Sequence, residues 1–598
     1  MRGFRFGFMC SALALSGAVA ACGGDDDGGS SNSGSGGTTG GGGSETTSGG
    51  SGGTATTTTT SSGGSQTSGG SGGSGGSAGE ATTGGTAGTG GTETTGTGGS
   101  AGGAGAPPDE LAPITKVTDI VIPEANEMLG LTFGASGKIW GSGATSVDPE
   151  NQQLLIARFN PDGTPDTDFD DDGFLVYDIA PGGELSRGIV ELANGDIIVQ
   201  ANVDDGKGGE LIADAGGGDD MPREDGRNVV LLRFDSEGAL VGSFGEDGIV
   251  QLDFGWTSTD DADWPVPTYD SSTLEEGDDP EDGFSGPGFP TDDSWGIALD
   301  ATGDEEKIVV FGAGPAPHVT GEDAVQRVDN DRYVLRVLAS DGSLDPDFND
   351  GAAFTFGSPG VLSDGGRRGR VEADGSILSA GYTNFGEGLG NHVMVLRLLE
   401  DGTPDTDFGF GLAIPGVTWF NPFREDGGVA ECYAVASQSN GRLVTTGYGR
   451  ATGAGMTSQY GYATTDLQDL VAFGVDADAV DLDWGKQGTL AIQSEEAGLG
   501  DTEDRGRDLI ALPDDRTVHA GRFGGHPALF VVTPEGELDT SVGDGGKFLY
   551  EPFAEATSHF YAIASNHNVA DREQTLIAAT TNNHAEGVIL AILSVDEE

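Results

Sequence analysis

Asp401-Gly402-Thr403-Pro404-Asp405-Thr406-Asp407-Phe408-Gly409-Phe410-Gly411 recurs along the chain. Asp162-Gly163-Thr164-Pro165-Asp166-Thr167-Asp168-Phe169 is nearly the same string and closes on Gly173. Asp341-Gly342-Ser343-Leu344-Asp345-Pro346-Asp347-Phe348 closes on Gly351. Looser copies begin at Glu237-Gly238, Asp481-Leu482-Asp483-Trp484-Gly485 and Glu535-Gly536-Glu537-Leu538-Asp539. The anchoring residues Phe169, Phe244, Phe348, Phe408, Trp484 and Val542 stand 75, 104, 60, 76 and 58 positions apart. A period near 60 that tolerates insertions marks a repeat architecture.

Four short apolar runs, a to d, surround each copy in fixed order. In the unit around Phe408 they are 368–373, 376–381, 392–399 and the segment after Gly411. Runs of this length, rich in β-branched residues and punctuated by Gly, Asp and Asn, read as strands. Asn194-Gly195, Asp374-Gly375 and Asn440-Gly441 between runs a and b are hairpin signals. Run b ends in glycine at Gly141, Gly312, Gly381, Gly447 and Gly521. Run a can be counted at 129–135, 187–193, 295–301, 368–373, 432–438, 507–512 and 560–565. Seven units of four strands predict an all-β, seven-bladed β-propeller of four-stranded antiparallel blades.

The unit resembles the delta-60 repeat family, in which Arg-Leu precedes an Asp-Gly turn, then Leu-Asp and Phe-Gly. The family's arginine in run c stands at Arg158, Arg233, Arg336 and Arg397. The last three units depart from the pattern, with Phe473, Val532 and Ile592 nearby. The resemblance implies a propeller-like fold and no defined activity. The last unit supplies runs a to c and leaves no room for run d before Glu598. The stretch 115–122, with Val117 and the run Ile120, Val121, Ile122, precedes the first run a without partners of its own. It is therefore expected to form the outer strand of the seventh blade and so close the ring.

Ahead of this region, 1–22 reads as a targeting segment. Arg2 and Arg5 precede a small apolar run too short to span a bilayer. It ends Val19-Ala20-Ala21-Cys22, which resembles the lipobox of bacterial lipoproteins. That resemblance implies a lipid on Cys22, and Gly23 after it, in place of Asp, implies the outer membrane over the inner. The alternative is an ordinary cleavage site followed by a chance cysteine. Residues 23–110 are almost wholly Gly, Ser and Thr and cannot offset the entropy of ordering, so they read as a disordered tether. A chain of that composition spans about 50 Å r.m.s.. The propeller then occupies 111–598.

The formal net charge of −69 argues against nucleic acid as a partner, because phosphate contacts need a basic surface. Asp168, Asp170 and Asp172, with Gly173, have the alternating-oxygen spacing of a calcium loop, but lack the later glutamate of the EF-hand form. Calcium is the one cofactor the sequence suggests, and the competing reading is a drifted structural turn. Gly134-Ala135-Ser136-Gly137-Lys138 reads as a hairpin turn and not as a phosphate loop, for want of a hydroxyl residue after the lysine. The seven histidines lack metalloprotease spacings, and Cys432 reads as a small core residue.

In an a–b–c–d meander the a–b and c–d turns share one face. The b–c and d–a connections share the other. The long insertions, near 203–228, 255–293, 313–331, 415–431 and 449–468, all belong to the second face and carry Trp256, Trp264, Tyr269, Trp419 and Phe420. Long loops on a rigid scaffold tend to carry function. The expectation is a monomeric cell-envelope lipoprotein, tethered to the membrane through Cys22 and surface-exposed or periplasm-facing. Its propeller would bind or scaffold a protein or polysaccharide. The competing expectation is a secreted propeller enzyme, metal-assisted and acting on polysaccharide. Convergent carboxylates or histidines lining the central channel would favour the second.

Overall fold

The structure is a computed structural model that describes residues 112–122, 124–145, 152–180, 183–204, 227–252, 254, 268–269, 284–285, 292–315, 330–357, 363–384, 390–410, 414–423, 428–450, 468–494, 503–550, 558–570, 572–582 and 587–595. The chain divides into two units, Met1–Ala106 and Pro107–Glu598. The first lies outside the described residues.

The second unit is an all-β, seven-bladed propeller. Blade 1 runs Ala125–Phe133, Ile139–Thr145, Leu154–Phe159 and Phe174–Tyr177. Blade 2 runs Glu184–Glu191, Ile197–Asp204, Arg227–Phe234 and Ile249–Leu252. Blade 3 comprises Asp293–Asp300, Lys307–Pro315, Asn330–Leu338 and Phe354–Phe356. Blade 4 comprises Ser363–Val371, Ile377–Asn384, Asn391–Leu398 and Val417–Phe420. Blade 5 has Val429–Ser437, Leu443–Arg450, Asp469–Val475 and Thr489–Ile492. Blade 6 has Arg505–Ala511, Thr517–Phe523, His526–Val532 and Lys547–Leu549. Blade 7 takes strands a to c from Phe560–Ser565, Thr575–Thr581 and Val588–Val595, and its outer strand d from Ile114–Ile122. Each strand a contacts the next around the ring, and that of blade 7 contacts that of blade 1.

The expected closure is present. Ile114–Ile122 pairs antiparallel with Val588–Val595, from Ile114 opposite Val595 to Ile122 opposite Val588. The register slips between Lys116 and Thr118, so Val117 bulges outward and is exposed. Every residue of Val588–Val595 is buried. Without the N-terminal strand this run would be an open apolar edge.

Two boundaries differ from the sequence reading. Strand a starts up to five residues earlier than its apolar run, for example at Ser363 rather than Arg368. The early residues are polar, including Glu127, Asp293 and Glu431, and a β-bulge after them reverses the inward–outward phase. Strand b also continues past its glycine. A Cβ at Gly447 or Gly521 would collide with the carbonyl of Glu431 or Arg505, two residues before the bulged Tyr433 or Arg507. These glycines admit the bulge and do not end the strand.

The recurring Asp-Gly stretch is the latch between blades. Asn349 N–H of blade 3 donates to the carbonyl of Asp401 in blade 4 at 2.8 Å, and Gly485 of blade 5 to that of Glu535 in blade 6 at 2.6 Å. The anchor Phe348 is 1% exposed and lies under Gly402, whose φ is +79°. The motif aspartate is held by a cation in each of six blades except the second, where Asp196 fills that role. Arg158 reaches Asp166 at 2.6 Å and Arg336 reaches Asp345 at 2.6 Å. Where strand c lacks its arginine, the residue just before strand b supplies one: Arg442 to Asp481 at 2.5 Å and Arg516 to Asp539 at 3.1 Å.

Candidate functional site in the central channel

The bulge of every strand a puts one residue at the same level of the channel. In blade order these are Leu129, Arg187, Trp295, Arg367, Tyr433, Arg507 and Tyr561. Apolar or aromatic residues occupy the odd blades and arginines the even ones. All seven are buried. The guanidinium carbons of Arg187 and Arg367 lie 4.3 and 3.8 Å from the Trp295 ring centroid. Arg507 sits between Tyr433 and Tyr561 at 4.6 and 5.2 Å. Trp295 also stacks on Tyr561, with centroids 6.2 Å apart. Desolvated contacts of this kind contribute about 2 kcal/mol each. The ring therefore fills the channel at this level with a rigid layer.

Each of the first two ring arginines is paired with an acid two residues before the next ring position. Arg187 reaches Asp293 at 2.7 Å, and Arg367 reaches Glu431 at 2.7 Å. Glu431 is completed by Asn391 and the Tyr448 hydroxyl, both at 3.0 Å. Burial, then the charge of Glu431, pushes the Tyr448 hydroxyl well above its ordinary range, so it stays protonated and donates. In blade 7 the equivalent position holds His559 in place of an acid. Asp293 and Glu431 are thus each engaged by a ring arginine.

Blade 4 carries a wider bulge with a second arginine. Arg368 Nη2 donates to the carbonyls of Leu129 at 2.5 Å and Tyr561 at 3.3 Å, and Nη1 lies 3.7 Å from Asp508. On the a–b half of the channel, beyond the ring, lies a cavity of about 150 Å³ whose lining includes Arg368, Arg370 and Asp508.

Of the residues expected to bind, Trp419 and Phe420 are described. They lie in strand d of blade 4, so 415–431 contains a strand as well as a connection. Phe420 is half-buried against Phe410 at 5.7 Å and Phe473 at 5.0 Å, and Trp419 lies 5.1 Å from the His392 ring. Phe420 packs at the junction of blades 4 and 5, whereas Trp419 packs on His392 within blade 4. Trp256 and Trp264, like Cys22, lie outside the described residues; Tyr269 belongs to a short hairpin, Thr268–Tyr269 with Phe284–Ser285, whose side chains are outside them too. Asp168, Asp170 and Asp172 sit on the exposed c–d link of blade 1. Asp172 Oδ1 accepts from the Phe174 N–H at 3.0 Å, and Asp170 has φ +44°. Among the described residues no three His, Cys, Asp or Glu groups come together as a metal site.

Lys138 is held by Asp166 at 3.0 Å within a hairpin turn. Cys432 is buried beneath Gly381, and burial pushes its thiol up to about 11. His519 is buried, bonds Thr517 at 2.8 Å, and is pushed by burial down to about 3, hence neutral. The ring was missed in sequence, although its signal was there. The residue opening each apolar run of strand a alternates between an arginine and a large apolar residue in most units.

The family described as "Domain of unknown function (DUF5122) beta-propeller" matches residues 134–169 and 372–408. Both segments span an a–b turn, strands b and c and the latch. No curated protein matches the chain. A protein of unknown function from Dyadobacter fermentans is similar at 12% identity and a TM-score of 0.36, covering 81% of this chain and 100% of its own. The Dos1 propeller is similar at 10% identity and a TM-score of 0.35, covering 81% and 96%. PorZ of Porphyromonas gingivalis, a surface component of the type-IX secretion system, is similar at 12% and 0.34, covering 79% and 47%.

Proposed function

We propose that this chain is a cell-envelope lipoprotein, lipidated at Cys22, whose propeller is a binding or scaffolding module. The supporting observation is the channel: its ring acids are neutralised by Arg187 and Arg367, and aromatic residues fill the space between. The channel acts as a brace. The partner-facing surface is then the b–c and d–a face, from whose strand ends the longest connections leave. A protein or polysaccharide partner suits loops rich in aromatic and acidic residues.

Two measurements on the full chain test this reading. Cys22→Ser should move the protein from the outer-membrane fraction to the soluble one; retention at the membrane would remove the anchor. For the face, proteins and glycans captured by the wild type should be lost when 255–267 is replaced by a Gly/Ser segment of equal length. They should be kept in Asn194→Ala on the opposite face. Release of reducing sugar from a captured glycan would instead favour the enzyme reading.

A further inference from the structure

The cavity on the a–b half of the channel combines a cationic end with aliphatic walls. Arg370 donates from Nη2 to the carbonyl of Leu509 at 3.0 Å. Its Nε is buried and, among the described residues, has no hydrogen-bond partner, and the same is true of Nε of Arg368. Glu372 and Asp508 act on Arg370 through space, yet among the described residues no carboxylate is in ion-pair contact with it. Asp508 is already engaged: Oδ1 accepts from the Leu509 N–H at 2.9 Å, and Oδ2 from the Ile563 N–H at 3.1 Å, with Arg368 beyond. Two guanidinium groups thus face one committed carboxylate. Ile297, Val435 and Ile563 supply apolar wall.

A buried guanidinium donor without a partner is costly, and an anion that reaches it relieves that cost. We propose that this cavity binds a short aliphatic carboxylate, its carboxylate on Arg370 and its chain against Ile297, Val435 and Ile563. A cavity near 150 Å³ holds a molecule of roughly six heavy atoms, as a benzene-sized void does. Butanoate has that size. The site lies on the other side of the Arg–aromatic ring from the loop face and is independent of any partner bound there. In a chain of net charge −69 it is a recessed, part-open site for an anion.

Isothermal titration of the full chain with acetate, propanoate, butanoate and hexanoate tests this. Affinity should rise about fourfold per added methylene up to butanoate, following the transfer free energy of a methylene group. It should then fall at hexanoate, which exceeds the cavity. 1-Butanol should not bind, because it offers no anion to Arg370. Arg370→Gln, checked for wild-type thermal unfolding, should weaken butanoate at least tenfold, and Arg370→Lys should weaken it less. No butanoate heat, or equal affinity for butanoate and 1-butanol, would overturn the assignment with the wild type alone. So would undiminished affinity in a folded Arg370→Gln.

Discussion

The guanidinium of Arg368, rooted in blade 4, donates to the backbone carbonyl of Leu129 in blade 1 at 2.5 Å, and to that of Tyr561 in blade 7 at 3.3 Å. In a seven-bladed ring, blade 4 lies opposite the seam between blades 7 and 1. One side chain therefore crosses the channel and ties the seam that Ile114–Ile122 closes from outside.

Arg368→Gln should destabilise the propeller by about 2–4 kcal/mol, because it withdraws charged donors and leaves two enclosed carbonyls and Asp508 without them. Urea unfolding followed by tryptophan fluorescence measures this. A loss under about 0.5 kcal/mol, no more than an ordinary surface change, would mean that the brace is idle.

Deleting 114–122 should lower the melting temperature and open the 588–595 strand. Hydrogen exchange should show the amides of Val588–Val595 losing protection first, since their outer partner strand is gone. Unchanged protection there would mean that some other element covers this edge.

Gly402 tests the latch. Its φ is +79°, and a Cβ there would lie 2.8 Å from Phe348 of the preceding blade. Gly402→Ala should cost about 1–3 kcal/mol through left-handed backbone strain and the ring contact together. Adding Phe348→Leu relieves only the contact, so the double variant should be less destabilised than the sum of the singles. Strict additivity would show that the two residues do not meet.

The latch aspartates predict an acid limb. Burial raises Asp166, but the Lys138 hydrogen bond and the Arg158 charge more than offset it and hold the carboxyl below its ordinary 3.8. Asp345, beside Lys307 and Arg336, and Asp539, beside Ser541 and Arg516, are held low in the same way against burial. A carboxyl depressed in the folded state contributes stability that is present above its unfolded value. That stability is lost as pH falls through the folded value. Neutralising the other acids works in the opposite direction by relieving self-repulsion, so the wild-type curve alone does not isolate the latch. Asp166→Asn with Asp345→Asn and Asp539→Asn should be less stable at pH 7, with a flatter decline below pH 4. Parallel curves for the two proteins would contradict the assignment.

For calcium, the exposed Asp168, Asp170 and Asp172 on the c–d link of blade 1 are expected to give at most a weak heat on titration. Asp170→Ala should reduce that heat. An unchanged heat would place any calcium elsewhere.

Strand number, strand order and ring closure were legible in the sequence because each depends on local signals repeated many times. Asp-Gly turns set the hairpins, the anchor aromatic marks each c–d link, and 115–122 was the one strand without a neighbour. The polar first turns of strand a and the continuation of strand b past its glycine were not legible, because a bulge breaks the alternation on which such reading rests. The alternation that opens strand a was present in the sequence, but the partners within the channel ring were decided by the tertiary structure. Arg187 meets Trp295 and Asp293, and Arg368 meets Leu129, only after the seven inner strands, spread from Ala125 to Ser565, converge on one axis. No local pattern encodes which arginine faces which ring. The bulges set that phase, and the closed circle sets the partners.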